Sequence, residues 1–178
     1  MLPSLCFLFL LACSVHAGEE CGSKKIMYFF DNSRMTCFPI ETVQCSPEAK
    51  ERFTTQRDCQ ARSIPMDYNT CAANSPAVKR PNGESHCFRE GMPLDNESNR
   101  CPAGSVCNVG MNVGMCCDKK IQDEYYEEAK ATCSDGKKSI TSTENEFNQP
   151  LVGKKCSHNF CPSGSACKEG KYLAWCCK

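Results

Sequence analysis

Cysteine spacing is the feature that most limits how this chain can fold. Two stretches share the register Cys-Pro-x-Gly-Ser-x-Cys, then eight residues, then Cys-Cys: they run from Cys101 to Cys117 and from Cys161 to Cys177. Equal spacing over this length indicates a structural unit that occurs twice. Eighteen cysteines in 178 residues are typical of small modules held by disulfides rather than by a large apolar core.

An apolar run at the start of the chain predicts a signal peptide at residues 1–17. Residues 4–13 are too short to cross a bilayer, and a small-residue cleavage pattern follows them at 15–17. Cleavage would remove Cys6 and Cys13 and leave sixteen of the eighteen cysteines. In an oxidising compartment these would pair into eight disulfides, so we expect a secreted, extracellular protein.

Charge and motif content argue against several classes of function. Lys plus Arg equals Asp plus Glu at 21 each, which gives no basis for binding nucleic acid or an anionic membrane. The chain has no CxxC pair, and after cleavage only His86 and His158 remain as histidines, so we expect no metal site and no cofactor. With no phosphate loop and no Ser-His-Asp set, the sequence does not predict an enzyme, and its partner is expected to be a protein.

The remaining cysteines form three groups, Cys21–Cys59, Cys71–Cys117 and Cys133–Cys177. They predict an N-terminal module at 18–63 and two cysteine-rich repeats, which we call segment A (71–117) and segment B (133–178). Residues 60–70, with Pro65 and little apolar content, are typical of a linker.

The second connector, residues 118–132, is highly charged. Ile121, Tyr125 and Ala129 recur at helical spacing, which indicates a short helix. A partner-binding helix and a solvated spacer are both compatible with this pattern, and mixed charge favours the spacer. We therefore expect three of its carboxylates to face water, those of Glu124, Glu127 and Glu128.

The N-terminal module has the pattern of a hairpin followed by a helix. Apolar residues 26–30 precede an Asp-Asn-Ser turn signal and resume at Cys37. Thr55, with Asp58 three residues later, predicts a helix from Gln56 to Ala61. Fifteen residues separate Cys21 from Cys37, and seven separate Cys37 from Cys45. These spacings and the aromatic run resemble a Kunitz (BPTI-type) domain.

The Kunitz resemblance implies disulfides from Cys21 to Cys45 and from Cys37 to Cys59. The family's third bridge is missing at both ends, because the mature chain starts just before Cys21 and Ser63 stands where the last cysteine would be. The module is thus expected to be a degenerate Kunitz domain with two of three disulfides.

The resemblance also implies an inhibitory loop made of Gly22, Ser23 and Lys24, with Val43 and Gln44 opposite. Gly22 stands at the position that enters a protease's specificity pocket and has no side chain to fill it. Two interpretations follow. The module inhibits a serine protease with a small specificity pocket and has weak or no action on trypsin, or it is a non-inhibitory matrix or protein-binding component.

Segments A and B resemble the lustrin-type cysteine-rich repeat of secreted invertebrate, nematode-like proteins, on the shared cysteine order and Cys-Pro-x-Gly turn. The fold class expected is small disulfide-rich modules: a Kunitz-like α+β hairpin-plus-helix domain, then two small β-hairpin repeats. Six cysteines per repeat allow fifteen pairings, and the sequence does not choose among them. Three residues of the last hairpin could form a binding face or pack on disulfides, and we favour packing: Tyr172, Leu173 and Trp175.

One glycosylation motif is present at Asn96-Glu97-Ser98. It lies in a polar stretch of segment A, where a glycan can be accommodated. Asn96 is therefore the candidate attachment site.

Overall fold

The computed structural model describes residues 21–66, 68–88, 91–92, 96–110, 113–134, 136–142 and 149–178. The predicted signal peptide, residues 1–17, lies outside them, together with Cys6 and Cys13. The helices and strands of the described residues are β1 Lys24–Asp31, β2 Thr36–Val43, α1 Gln56–Ser63, β3 His86–Cys87, β4 Ser105–Val109, β5 Gly114–Asp118, α2 Lys119–Ala129, β6 Val152–Gly153, β7 Ala166–Glu169 and β8 Ala174–Cys177. None of these helices is long and apolar enough to cross a membrane.

Strands β1 and β2 form the predicted antiparallel hairpin, in register from Lys24 opposite Val43 to Asp31 opposite Thr36. Aromatic and β-branched residues favour this pairing because they pack well on a pleated surface. Tyr28 extends the ladder by exchanging two backbone hydrogen bonds with Phe53, at 2.7 and 2.8 Å. The Phe53 segment thereby covers the outer edge of β1.

Helix α1 begins where the Thr55–Asp58 pattern predicts, because the Thr55 hydroxyl accepts a hydrogen bond from the Asp58 N–H at 3.0 Å. It ends at Ser63, two residues beyond the predicted Ala61. Disulfides join Cys21 to Cys45 and Cys37 to Cys59, which are the pairs that the Kunitz resemblance implies. The Cys37–Cys59 bridge is buried with Tyr28 in the small core of this module.

Segments A and B have the same disulfide order, which the sequence left open. In each, the first cysteine bonds the sixth, the second bonds the fourth, and the third bonds the fifth. Each also forms a three-stranded sheet with its last strand in the centre, in the orders β3-β5-β4 and β6-β8-β7. A third short strand thus adds to each predicted hairpin.

The shared Cys-Pro-x-Gly-Ser motif forms the same turn in both segments. Gly104 and Gly164 adopt φ of +79° and +77°, the left-handed region that glycine enters without steric cost. The Ser105 and Ser165 hydroxyls then donate to the carbonyls of the prolines three residues earlier, at 2.6 and 2.5 Å. The turn starts the central hairpin of each segment at the same point.

Helix α2 begins at Lys119 with Asp118 as its cap and packs between segments A and B. Gln122 is buried, and its side-chain oxygen accepts a hydrogen bond from the Ala72 N–H of segment A at 2.9 Å. Glu128, near the other end of the helix, contacts the β7–β8 loop of segment B. The predicted spacer is a helix that holds the two segments together.

The N-terminal module packs against segment B. Ile26 lies against a buried cluster that contains Phe160, Ala174 and Cys176. Near the turn of the hairpin, the buried carboxylate of Asp31 forms an ion pair with Lys154. Segment A reaches the same turn, where the Asn74 amide donates to the Ser33 carbonyl at 3.3 Å.

Candidate protein-binding loop

The five residues of the predicted inhibitory loop lie together at the open end of the β1–β2 hairpin. Gly22, Ser23 and Lys24 are exposed, and Val43 is 45 % exposed. The Cys21–Cys45 disulfide links the two sides of this end, with a Cα–Cα distance of 5.3 Å. We call this surface the loop end of the hairpin.

Hydrogen bonds with Gln44 hold the two sides of the loop end together. The Gly22 N–H donates to the Gln44 carbonyl at 3.2 Å, and the Gln44 N–H donates to the Ser23 carbonyl at 2.8 Å. The Ser23 hydroxyl also donates to the Gln44 side-chain oxygen at 2.8 Å. Gln44 therefore restrains the loop on the side opposite Gly22.

Gly22 adopts φ of +102°, and a Cβ built on it would meet nothing within 4 Å. Residues with a side chain adopt this conformation only under strain. Glycine is thus required here by the backbone turn, although space for a side chain is open.

The charge at the loop end is basic and partly neutralised. The Lys24 ammonium pairs with the Glu41 carboxylate across the hairpin at 2.9 Å. After Cys45, a 3₁₀ turn at Pro47–Glu51 begins with Ser46 as its cap. Hydrogen bonding to its own backbone N–H, and then to the Ser46 hydroxyl, lowers the pKa of the exposed Glu48 carboxyl. Glu48 is therefore an additional anion close to the loop end.

The turn end of the hairpin contacts the rest of the chain. The Arg34 guanidinium donates to the Tyr172 carbonyl of segment B. The Phe29 ring lies edge-on to His158, with ring centroids 5.2 Å apart, and the Arg52 guanidinium lies 5.0 Å from the Phe29 centroid. These contacts anchor the turn end, whereas four of the five loop-end residues lie exposed and Gln44 is half-buried.

Two carboxylates of α2 are not the solvated groups that the charge pattern predicted. Glu128 accepts the backbone N–H groups of three consecutive residues, Lys171 to Leu173, at 2.7–2.8 Å. Glu124 accepts the Lys171 ammonium and the Tyr172 hydroxyl at 2.8 and 3.1 Å. Their spacing of four residues, which places both on one face of a helix, was the available signal.

The last hairpin packs inward, as the favoured interpretation predicted. Leu173 and Trp175 are buried, and the Trp175 indole N–H donates to the Thr132 carbonyl at 3.1 Å. Tyr172 is half-buried and packs beside Tyr125, with ring centroids 6.1 Å apart. These residues connect α2 to segment B and do not form an exposed binding face.

Cysteine sulfurs offer no metal centre in the part of the chain that the structure describes. Cys87, Cys101 and Cys116 have sulfurs within 4.8 Å of one another. All three are bonded in disulfides, so none can supply the thiolate that a metal binds.

Asn96 is exposed and begins a 3₁₀ turn at Glu97–Asn99. The Ser98 hydroxyl donates to its side-chain oxygen at 2.5 Å. The candidate glycosylation site thus lies on the surface of segment A.

Two known proteins are similar to this chain over most of its length. A BPTI/Kunitz inhibitor domain-containing protein of Caenorhabditis elegans is 34 % identical over 183 residues, which cover 100 % of this chain and 94 % of the relative. The major allergen Ani s 1 of Anisakis simplex is 29 % identical over 161 residues, which cover 90 % of this chain and 80 % of the allergen. No protein-family model matches the chain. No solved structure matches it either.

Proposed function

This chain belongs to the BPTI/Kunitz inhibitor domain-containing proteins, and from that premise we propose that it is a secreted inhibitor of a serine protease with a small specificity pocket. The loop end of the hairpin would be the surface that contacts the protease. The observation that supports this most is the contrast between the two ends of the hairpin. The loop end is exposed and restrained by Cys21–Cys45, and the turn end is packed against the rest of the chain.

Restraint before binding favours affinity, because a loop that is already ordered loses less conformational entropy in the complex. The Cys21–Cys45 disulfide and the three hydrogen bonds to Gln44 supply that restraint. The missing third Kunitz disulfide would weaken the module. Packing of Ile26 on segment B and the Asp31–Lys154 ion pair offset part of that loss.

Gly22 favours a protease with a small specificity pocket. A trypsin-like pocket is deep and acidic and gains its affinity from a basic side chain, whereas an elastase-like pocket is small. Gly22 leaves a deep pocket empty. We therefore expect the target to be elastase-like and trypsin to be inhibited weakly or not at all.

Secretion and the class of segments A and B belong to the same proposal. Residues 1–17 would be cleaved as a signal peptide, and the eight disulfides of the described residues are bonds that persist in oxidising compartments. Segments A and B would be lustrin-type repeats that support the N-terminal module. Their common disulfide order and strand order support a shared origin.

Inhibition assays against trypsin, chymotrypsin and elastase test the proposal. We expect elastase to be inhibited at micromolar protein or below. Ser23→Arg, which places a bulky cation next to Gly22, should abolish that inhibition, and Ser157→Arg makes the same change at an exposed position of segment B and should not. If all three proteases keep full activity at micromolar protein, the inhibitor proposal is wrong.

A non-inhibitory role in the extracellular matrix is the second candidate. The observation that favours it is the φ of +102° at Gly22, which shows that the turn itself requires glycine there. A pull-down from extracellular material separates the candidates. Recovery of a protease supports inhibition, and recovery of insoluble matrix polymers supports the structural role.

A further inference from the structure

A cavity of about 440 Å³ lies where the N-terminal module, helix α2 and segment B meet. Strand β2 contributes Thr36 and Phe38, helix α2 contributes Tyr125 and Ala129, and segment B contributes Leu173. Its size falls within the range of about 300–1,000 Å³ that is typical of small-molecule sites, which often form where structural units meet.

The cavity wall combines apolar and hydrogen-bonding side chains. Phe38, Leu151, Val152 and Leu173 supply apolar surface, and the described residues of the wall with polar side chains are Tyr28, Thr36, Gln56, Tyr125, Ser142 and Gln149. All of these polar groups are uncharged at neutral pH, and no described residue with a charged side chain lines the cavity. A charged ligand would lose its hydration here without gaining an ion pair, which is costly.

The cavity is partly open to solvent, so a ligand that enters it would remove apolar surface of the wall from water. We propose that the cavity binds a neutral, amphipathic small molecule with a flat apolar body and one or two hydrogen-bonding groups. The apolar body would lie against Phe38 and Leu173. Its polar groups would pair with the side chains of Thr36, Tyr125 and Gln149.

This site is separate from the proposed protease-binding surface. The cavity lies by Thr36, at the turn end of the hairpin, and Val43 at the loop end is seven residues further along β2. Seven steps of an antiparallel strand span about 24 Å. Ligand binding and protease inhibition can therefore be tested independently, and failure of one does not decide the other.

Two fluorescent probes that share their ring system test the proposed chemistry. N-phenyl-1-naphthylamine is neutral and apolar with one N–H group, and 1-anilinonaphthalene-8-sulfonate carries the same rings with a sulfonate. We expect saturable, one-to-one binding of the neutral probe to the oxidised protein. The sulfonate should bind more weakly by more than about tenfold, since no described residue of the wall carries a positive charge. Equal affinity for both probes, or no saturable binding of the neutral probe, would overturn the proposal.

A cavity-filling variant tests whether the neutral probe binds in this cavity. Ala129→Phe projects a ring into the cavity from α2 and should weaken binding of the neutral probe by at least about tenfold. Ala61→Phe makes the same change at an exposed position of α1 and should leave the affinity unchanged. Loss of binding in both variants, or in neither, contradicts the assigned site.

If Ala129→Phe does not fold, methyl NMR of the unsubstituted protein identifies the binding site of the neutral probe. Addition of the neutral probe should shift the methyl signals of Leu151, Val152 and Leu173, which line the cavity. Shifts that leave these three residues unchanged would place the probe elsewhere and overturn the proposal.

Discussion

Replacement of Glu128 by glutamine measures how strongly helix α2 holds segment B. One carboxylate oxygen accepts the Lys171 N–H at 2.7 Å, and the other accepts the N–H groups of Tyr172 and Leu173 at 2.8 Å each. Glutamine keeps one oxygen and turns an NH₂ group toward the remaining N–H donor. Glu128→Gln therefore loses at least one hydrogen bond and places two donors face to face.

The expected cost follows from the strength of hydrogen bonds to charged groups, about 1.5–3 kcal/mol each. Glu128 is half-buried, and the exposed Lys171 N–H can pair with water instead, so we expect the lower end of that range. A loss of about 1.4 kcal/mol is a factor of about ten in the equilibrium between closed and open forms of the loop. Amide hydrogen exchange at the buried Leu173 should then be about tenfold faster.

Glu127→Gln is the matched control. It makes the same change one residue earlier on α2, where Glu127 is exposed and pairs with the exposed Lys130, a contact worth about 0–1 kcal/mol. If Leu173 exchanges equally fast in the two variants, the Glu128 hydrogen bonds do not hold the loop. Gly170→Ala adds an independent test, because a Cβ there would lie 2.5 Å from the Glu128 carboxyl carbon and should speed exchange in the same way.

Three further predictions concern other parts of the chain. Gly22→Arg should destabilise the N-terminal module by about 1–3 kcal/mol because of backbone strain at φ of +102°. The variant should also remain a poor trypsin inhibitor in an enzyme assay. Nanomolar inhibition of trypsin with unchanged stability would contradict this. Burial lowers the pKa of His158, and so do the nearby cations Lys155, Lys154 and Arg52. The folded state therefore binds this proton less well than the unfolded state. The contribution of neutral His158 to the free energy of unfolding is complete above about pH 6.5 and is lost as the pH falls from there through the depressed pKa. Urea unfolding should therefore show a lower free energy of unfolding at pH 5 than at pH 7.5, and His158→Gln should reduce this difference. Expression in a glycosylating secretory host should attach a glycan to Asn96, seen as a mass that a glycosidase removes and that Asn96→Gln lacks; equal masses before and after digestion would show that the site is unused.

Local patterns predicted the elements of the N-terminal module. The Thr55–Asp58 cap located the start of α1, because a cap depends on residues three positions apart. The apolar run at 26–30, the turn signal after it and the apolar residues from Cys37 onward located β1 and β2, because hairpin pairing joins neighbouring stretches of the chain. The five residues of the candidate loop lie together for the same reason.

The contacts between modules could not be predicted from such patterns. Asp31 and Lys154 are 123 residues apart, and Arg34 and Tyr172 are 138 apart. Nothing local to either residue indicates its partner. The cavity by Thr36 and Leu173 was missed for the same reason, since it exists only where three parts of the chain meet.

By itself, the sequence predicted small disulfide-linked modules and their local turns, because these depend on residue types at short, regular spacing, and the candidate loop is what the Kunitz resemblance implies. The tertiary structure decided the disulfide order of segments A and B, the role of Glu128 and the packing of the turn end of the hairpin against segment B. Those depend on which surfaces pack together after the modules form. A carboxylate on a charged helix faces water or binds a loop according to what lies beside it, and only packing supplies that neighbour.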